Sequence, residues 1–175
     1  MSELFSIQLQ NRQQQGRDGV WLDLPTTTEQ VQAALRQIGI SSDNPQGLFI
    51  SGYFAEEEKR FAIPYNMVLA SNVDELNFLA SRLETLSTGE RAELNAALQA
   101  PQSELSSIGR ITDFPENVDY YVHLPDVTGT GQLGDYYLNR SGMVDMPEEW
   151  KGGIDTAQFG RYVAQQEQGV FTEYG

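Results

Sequence analysis

Apolar and polar residues alternate in one short run at the start of the chain, and a second, mostly apolar run follows it. In residues 4–9 every second side chain is apolar, and a period of two predicts a strand with one buried face. A polar loop follows and ends in Asp-Gly at residues 18–19, a dipeptide that favours a tight turn. Residues 20–24 are again apolar enough for the returning strand. The pattern therefore predicts a pair of antiparallel strands.

A helical repeat begins after this pair of strands. Residues 26–29 have the form T-x-x-E, a capping box in which each side chain satisfies a backbone N–H of the other residue. Apolar residues then recur at helical spacing in residues 31–38, and Gly39 is suited to end the helix. Residues 48–54 predict a third strand. We therefore expect an N-terminal α+β module over residues 1–62, with a three-stranded antiparallel sheet plus one helix.

Residues 63–110 predict a central helical module. Asn72 and Ser87 each stand three residues before a glutamate and are suited to begin a helix. The first helix carries a stripe of leucines, the second carries alanines and leucines at helical spacing, and Pro101 closes the segment. The short connection between the two helices implies a helical hairpin. A leucine stripe of this kind forms a core far more often than a groove for a partner.

Residues 111–175 predict a C-terminal α+β module. Its predicted elements are a strand at residues 119–124, a short helix at 134–140, a helix at 155–165 that Asp155 caps, and a final strand at 170–174. The chain as a whole is therefore predicted to have an α+β fold in three small modules.

The charge is large, negative and uneven. The 175 residues contain 11 Lys+Arg and 25 Asp+Glu, which gives a formal net charge of −14. Residues 111–175 hold 11 of the acids and only 3 of the bases, and therefore carry −8 of that charge. Repulsion disfavours direct binding to nucleic acid or to anionic lipid, and it favours a basic partner. Acidity for solubility alone is the competing explanation, and the uneven distribution weakens it.

Other patterns limit the location of the protein. No apolar stretch approaches the 18 residues that a membrane span needs. The N-terminal residues lack the basic start and apolar core of a signal peptide. With no cysteine in the chain, disulfides are excluded. We therefore expect a cytoplasmic protein.

The residues offer little for catalysis. The one histidine, His123, stands between apolar residues in a predicted strand, where a structural role is the usual one. One histidine and no cysteine make a zinc site improbable, and no cofactor is expected. Carboxylate pairs arise by chance in so acidic a chain, and a magnesium ion held by scattered carboxylates stays open. We expect no enzymatic activity.

A glycine run is the strongest alternative to this conclusion. Residues 129–134 match G-x-G-x-x-G, the fingerprint of a dinucleotide-binding loop, between a predicted strand and a short helix. About 40 residues follow, which is too few for the rest of such a domain, and the acidic loop before the glycines would repel a pyrophosphate. A flexible turn is the expected structure.

Several segments in order along the chain resemble the ArdA family of antirestriction proteins, which plasmids and conjugative elements carry. The similar segments are G-V-W-L-D-L-P at residues 19–25 with the capped helix after it, N-V-D-E-L-N at 72–77 with the leucine-rich helices, D-Y-Y-V-H at 119–123, G-D-Y-Y at 134–137, I-D-T-A-Q-F-G-R at 154–161 and G-V-F-T at 169–172.

The resemblance implies three modules in an elongated homodimer whose acidic surface imitates duplex DNA. Such a protein occupies the DNA-binding groove of a type I restriction–modification enzyme. The physical basis is sound, because DNA carries about one charge per 1.7 Å of its axis and arginine grips carboxylates as it grips phosphates. An acidic adaptor or regulator of the same mobile element, bound to another basic protein, is the alternative.

We expect the mimic surface to lie mainly in the acidic C-terminal module, with a contribution from one acidic run in the first module. The role of these carboxylates is collective, because the charge is distributed. The predicted residues are Asp113, Glu116, Asp119, Asp126, Asp135, Asp145, Glu148 and Glu149, with Glu56, Glu57 and Glu58 from the first module.

Overall fold

The computed structural model describes residues 3–14, 18–41, 46–101, 104–118 and 121–175. The chain forms two compact units. The first unit comprises Met1–Arg91 and Glu104–Val118, and the second comprises Ala92–Ser103 and Asp119–Gly175. The predicted α+β class is confirmed, because a three-stranded sheet near the N-terminus is joined by eight α-helices in the described residues. The division into three modules stays a prediction.

The sheet of the first unit is antiparallel, as the alternation in the sequence predicts. Strand β1 (Phe5–Asn11) pairs with β2 (Val20–Leu24) on one side and with β3 (Leu48–Phe54) on the other. Every second residue of β1 is buried, from Phe5 to Asn11. The intervening polar residues lie on the opposite face of the sheet, since successive strand side chains point to opposite faces.

Helix α1 (Thr28–Gln37) follows β2, but its capping box lies one residue later than the sequence pattern predicts. The N-cap is Thr27, whose hydroxyl accepts from the backbone N–H of Gln30. Thr26 cannot take this role because Asn77 of the first unit fixes its backbone. The Thr26 N–H donates to the Asn77 side chain at 2.7 Å, and its carbonyl accepts from that side chain at 3.0 Å. At its end, Gly39 has a φ of 70°, as predicted for a terminating glycine.

The central helices begin at the predicted residues. A short helix α2 (Tyr65–Leu69) precedes α3 (Val73–Glu84), where the Asn72 side chain accepts from the N–H of Glu75 at 2.9 Å. Ser87 and Glu90 cap α4 (Thr88–Gln99) reciprocally. The predicted leucine stripe of α3 is core, since Leu76, Leu79 and Leu83 are fully buried. Helix α3 packs against α5 (Ile108–Thr112) in the first unit.

The core of the second unit forms where helix α6 (Thr130–Asp135) packs on α8 (Thr156–Gln166). Asp155 caps α8 as predicted, and its carboxylate accepts from the N–H of Gln158 at 3.0 Å. A π-helix at Tyr136–Arg140 continues α6, and α7 (Glu148–Lys151) is a single turn. The buried residues Val127, Leu133 and Val163 form the centre of this core.

Two glycines allow the two helices to approach backbone to backbone. A β-carbon at Gly160 would lie 2.6 Å from the Gly134 nitrogen and 2.8 Å from the Thr130 carbonyl carbon. A β-carbon at Gly134 would likewise lie 2.7 Å from the carbonyl carbon of Thr156. Because residues 130–135 form helix α6, the prediction of a flexible turn over residues 129–134 is wrong. The last glycine of the run serves helix packing.

The two strands predicted for the C-terminal segment are also wrong. Residues 121–124 and 170–174 form neither strand nor bridge, and residues 119 and 120 lie outside the described part of the chain. Leu124 and Phe171 pack against the core of the second unit without sheet partners, while Val122 is 90% exposed. Phe171, an aromatic residue of the kind that favours strands, packs against the core that includes Leu133 of α6 and Val163 of α8 instead.

Candidate acidic partner-binding surface

The acidic run of the first unit lies at the end of β3, in a 3-10 turn. Glu56, Glu57 and Glu58 are all exposed. The carboxylate of Glu56 lies 3.1 Å from the Lys59 Nζ. Within the described residues, neither Glu57 nor Glu58 forms an ion pair within 4.0 Å. The run therefore presents two carboxylates without a cation of the same chain.

The side chain of Arg91 holds this turn by a backbone carbonyl of the turn and leaves the carboxylates exposed. The guanidinium of Arg91 donates to the Lys59 carbonyl at 3.0 Å and lies 4.3 Å from the centre of the Phe61 ring. Partial burial lowers the pKa of Arg91 from its ordinary value. Through the cation–π contact and the hydrogen bond, Arg91 positions the turn.

Asp113 and Glu116 lie at the end of α5 in the same unit. Buried Phe114 anchors the 3-10 turn that separates them, and both acids are exposed. Glu116 forms an ion pair with Arg82 of α3. Asp113 has no cation within 4.0 Å in the part of the chain that the structure describes.

Six of the predicted acids lie in the second unit, and five of these six are among the described residues. Asp135 accepts from the Asn139 amide at 2.8 Å and lies 3.6 Å from the Arg140 guanidinium. Glu148 accepts from Lys151 at 2.6 Å, one turn further along. The remaining three are exposed and, among the described residues, have no ion pair; they are Asp126, Asp145 and Glu149.

The described candidates therefore fall into two groups. Four form ion pairs with nearby cations, namely Glu56, Glu116, Asp135 and Glu148. Six are exposed without such a pair in the described ranges, namely Glu57, Glu58, Asp113, Asp126, Asp145 and Glu149. Asp119 lies outside the described residues. Exposed pairs are worth about 0–1 kcal/mol, and each paired carboxylate loses this amount when it exchanges its partner for another. The assembly of all eleven into one surface stays a prediction.

The first unit has a second acidic feature, which the sequence patterns did not predict. A pocket of about 380 Å³ lies beside β2, and its lining includes Glu3, Trp21 and Asp23. The period of two along a strand could have indicated it. Leu22 and Leu24 of β2 are buried, so Trp21 and Asp23 lie on the solvent-facing side of the sheet.

The alternatives that involve catalysis gain no support. Nε2 of His123 donates to the Tyr174 carbonyl at 2.7 Å, which is a structural hydrogen bond. No group of three or more potential metal ligands occurs among the described residues. The glycine run follows a loop and lies in a helix packed on another helix, whereas a dinucleotide site needs a strand before it. In the same described ranges, no helix is both long and apolar enough to cross a membrane.

Comparison with known protein families gives a match over most of the chain. The family model described as "Antirestriction protein (ArdA)" matches residues 15–175, which is nearly the whole chain. No curated protein matches the chain.

Proposed function

Because the chain belongs to the ArdA family of antirestriction proteins, we propose that it inhibits a type I restriction–modification enzyme by imitating duplex DNA. The family is one of non-enzymatic antirestriction proteins, and its partner is a restriction–modification enzyme. The acidic surface occupies the groove in which the enzyme binds its DNA substrate. The protein acts in the cytoplasm as a homodimer.

The charge distribution supports this mechanism. A groove that binds DNA is basic because it neutralises about one phosphate per 1.7 Å of duplex axis. A chain with a net charge of −14, of which −8 lies in residues 111–175, is attracted to such a groove. Carboxylates accept hydrogen bonds from arginine in the bidentate geometry that phosphates offer. A protein scaffold, however, offers no phosphodiester to cut.

The observation that carries the proposal is the exposure of six carboxylates that have no cation of the same chain within 4.0 Å in the described residues. A carboxylate paired within its own chain must give up that partner before it can bind another. An unpaired, exposed carboxylate loses only its water. These six residues therefore contribute the most favourable contacts with a basic groove, and they lie on both units.

A charge-neutralisation experiment tests the proposal. The six exposed acids are changed to their amides in one variant: Glu57→Gln, Glu58→Gln, Asp113→Asn, Asp126→Asn, Asp145→Asn and Glu149→Gln. At about 0.4 kcal/mol for each exposed charge pair, the loss is about 2.4 kcal/mol, or about 60-fold in affinity. The measurement is inhibition of a purified type I enzyme that cleaves unmodified plasmid, with circular dichroism to verify the fold.

A matched control removes the same charge from other places. Six acids outside the predicted surface are neutralised in the same way, namely Asp18, Asp74, Glu84, Glu104, Glu167 and Glu173. This control should inhibit almost as well as the unchanged protein, especially at physiological salt, which screens distant charges. Equal losses in the two variants would show that net charge alone matters. Full inhibition by the first variant would refute the mimic mechanism.

Competition separates the mimic from an acidic adaptor. Duplex DNA that contains the recognition site should displace the protein from the enzyme, because both occupy one groove. Binding that is insensitive to an excess of this DNA would favour the adaptor instead.

A further inference from the structure

The missed pocket of the first unit combines an aromatic wall with two carboxylates. It has a volume of about 380 Å³, within the range of pockets that hold small ligands. Trp21, Glu3 and Asp23 line it together with Thr26, which precedes α1, and Gln30 of α1. None of the lining residues that the structure describes is basic. The composition favours a positively charged ligand.

The indole of Trp21 is held in place by the sheet. Register pairs Trp21 with Gln8 of β1, and Gln8 in turn with Gly52 of β3. A β-carbon at Gly52 would lie 3.0 Å from Cη2 of the indole. The ring therefore reaches across the central strand, and the missing side chain at Gly52 makes room for it. Trp21 is nevertheless 51% exposed, so its ring remains accessible.

The two carboxylates complete the site. The Ser6 hydroxyl donates to one oxygen of Asp23 at 2.6 Å, which fixes the side chain on the same face of the sheet as Trp21. Glu3 and Asp23 are exposed, and within the described ranges neither forms an ion pair with a cation of the chain. Both groups are therefore available to a cation from outside.

We propose that this pocket binds an arginine side chain of the basic partner, an inference that rests on the proposed function for the identity of that partner. A guanidinium is planar, stacks on an aromatic ring and donates in a fork that matches a carboxylate. Tryptophan is the best aromatic partner for a cation. Lysine offers only a point charge, so arginine fits the combination of ring and carboxylates better. The site anchors the first unit by a contact that DNA itself cannot make.

Other ligands fit the pocket less well. A phosphate or nucleic acid would meet two carboxylates of like charge. Calcium requires six to eight oxygen ligands, and the pocket contributes two carboxylates and the short polar groups of α1. A second copy of the chain would bring a net charge of −14 against an acidic site. Charge complementarity therefore selects a basic partner.

A peptide titration tests the pocket without any enzyme. The probe is acetyl-Gly-Arg-Gly-amide, titrated to about 20 mM, well above the dissociation constant of about 1 mM expected for so small a ligand. The readout is the indole N–H resonance of Trp21 by NMR, with the exposed Trp150 as internal reference. Trp21 alone should shift. The lysine peptide should shift it less, and the neutral glutamine peptide should leave it in place. No shift with the arginine peptide, or equal shifts of both tryptophans, would overturn the proposal.

Binding to the restriction enzyme then gives the functional test. Trp21→Leu should weaken binding about tenfold, which corresponds to about 1.4 kcal/mol, and Glu3→Gln about threefold. The effect of Trp21→Leu should persist at 0.5 M salt, because stacking is screened less than exposed charge pairs. Controls are Phe54→Leu, an equally exposed aromatic residue outside the pocket lining, and Asp74→Asn, an exposed acid elsewhere in the unit. Neither should change binding.

The two proposals can fail separately. Strong inhibition that Trp21→Leu and Glu3→Gln leave unchanged would refute the arginine pocket and leave the mimic mechanism intact. A Trp21 response to the arginine peptide without inhibition of any type I enzyme would refute the mimic mechanism and leave the pocket. A change in sedimentation with Trp21→Leu would instead assign the pocket to contact between copies, which also overturns this inference.

Discussion

The close approach of α6 and α8 makes Gly160 sensitive to any added side chain. Gly160→Ala adds one methyl group, which would meet the Gly134 nitrogen at 2.6 Å and the Thr130 carbonyl carbon at 2.8 Å. Real β-carbons essentially never come within 3.0 Å of another heavy atom. Both contacts are with backbone, so no side-chain rotation relieves them, and the helices must separate.

The expected loss in the free energy of unfolding is the difference between two opposing effects of Gly160→Ala. Overpacking of a well-packed core costs typically about 1–3 kcal/mol, and rigid backbone on the other side places this substitution at the upper end. Alanine in a helix interior is about 0.5–1 kcal/mol more favourable than glycine. The net destabilisation is therefore about 2 kcal/mol, which lowers the melting temperature by about 4–8 °C for a chain of this size.

Urea unfolding followed by circular dichroism measures this loss, and Gly131→Ala is the matched control. Gly131 also lies in α6, but a β-carbon there would have no atom within 4 Å. The control should therefore be more stable than the unchanged protein by about 0.5–1 kcal/mol. The same substitution type thus has opposite signs at the two positions. A Gly160→Ala variant as stable as Gly131→Ala would refute the backbone contact.

Two further predictions concern the first unit. Tyr53→Phe should raise stability by about 0.5–1 kcal/mol at neutral pH, because the buried Tyr53 hydroxyl has no hydrogen-bond partner in the described part of the chain. Burial raises the pKa of Tyr53 above its ordinary value of 10.0, so the folded chain keeps a proton that the unfolded chain releases. Stability should therefore fall as the pH rises above about 10. Because the pKa of Tyr137 is raised as well, Tyr53→Phe should show a smaller fall than the unchanged protein in urea titrations at pH 9–11. Asn77→Ala should lower the free energy of unfolding by about 2 kcal/mol, since it removes both hydrogen bonds to the Thr26 backbone. Thermal unfolding measures this loss. Asn77→Asp should retain only the bond to the Thr26 N–H.

Local patterns predicted the elements whose stability is decided locally. Alternation located β1, apolar content located β2 and β3, and the caps Asn72, Ser87 and Asp155 begin helices as expected. Thr26 shows the limit of this reasoning. Its pattern is as good as that of Thr27, but a tertiary contact with Asn77 removes it from the capping role. A spacing rule contains no information about a residue 51 positions away.

The C-terminal segment shows a different limit. Residues 121–124 have the composition of a strand, yet a strand needs a partner, and composition does not say whether one exists. Likewise, glycines occur both where a chain turns and where two helices touch. Only the neighbouring Gly160 distinguishes the second case for Gly134. Both errors came from local composition in a region where packing between helices decides the structure.

The sequence shows where the acidic residues lie along the chain, but it does not show which of their carboxylates form ion pairs in the folded protein. Counting charges identified the acidic segments, whereas the ion pairs of Glu116 with Arg82 and of Asp135 with Arg140 depend on the folded arrangement. The pocket at Trp21 was overlooked for another reason. Its residues come from the N-terminal segment, β2 and the start of α1, and no short motif joins them.

In the order β2-β1-β3, the N-terminal strand β1 is the central strand and pairs with both others. A proteolytic cut that released β1 would leave both outer strands without a hydrogen-bonded partner strand in this sheet, whereas release of β2 or β3 would leave a pair of strands. Two strands are only marginally stable by themselves, but they retain a ladder that the outer strands alone do not have. The integrity of the whole sheet therefore depends on one segment that ends at Asn11.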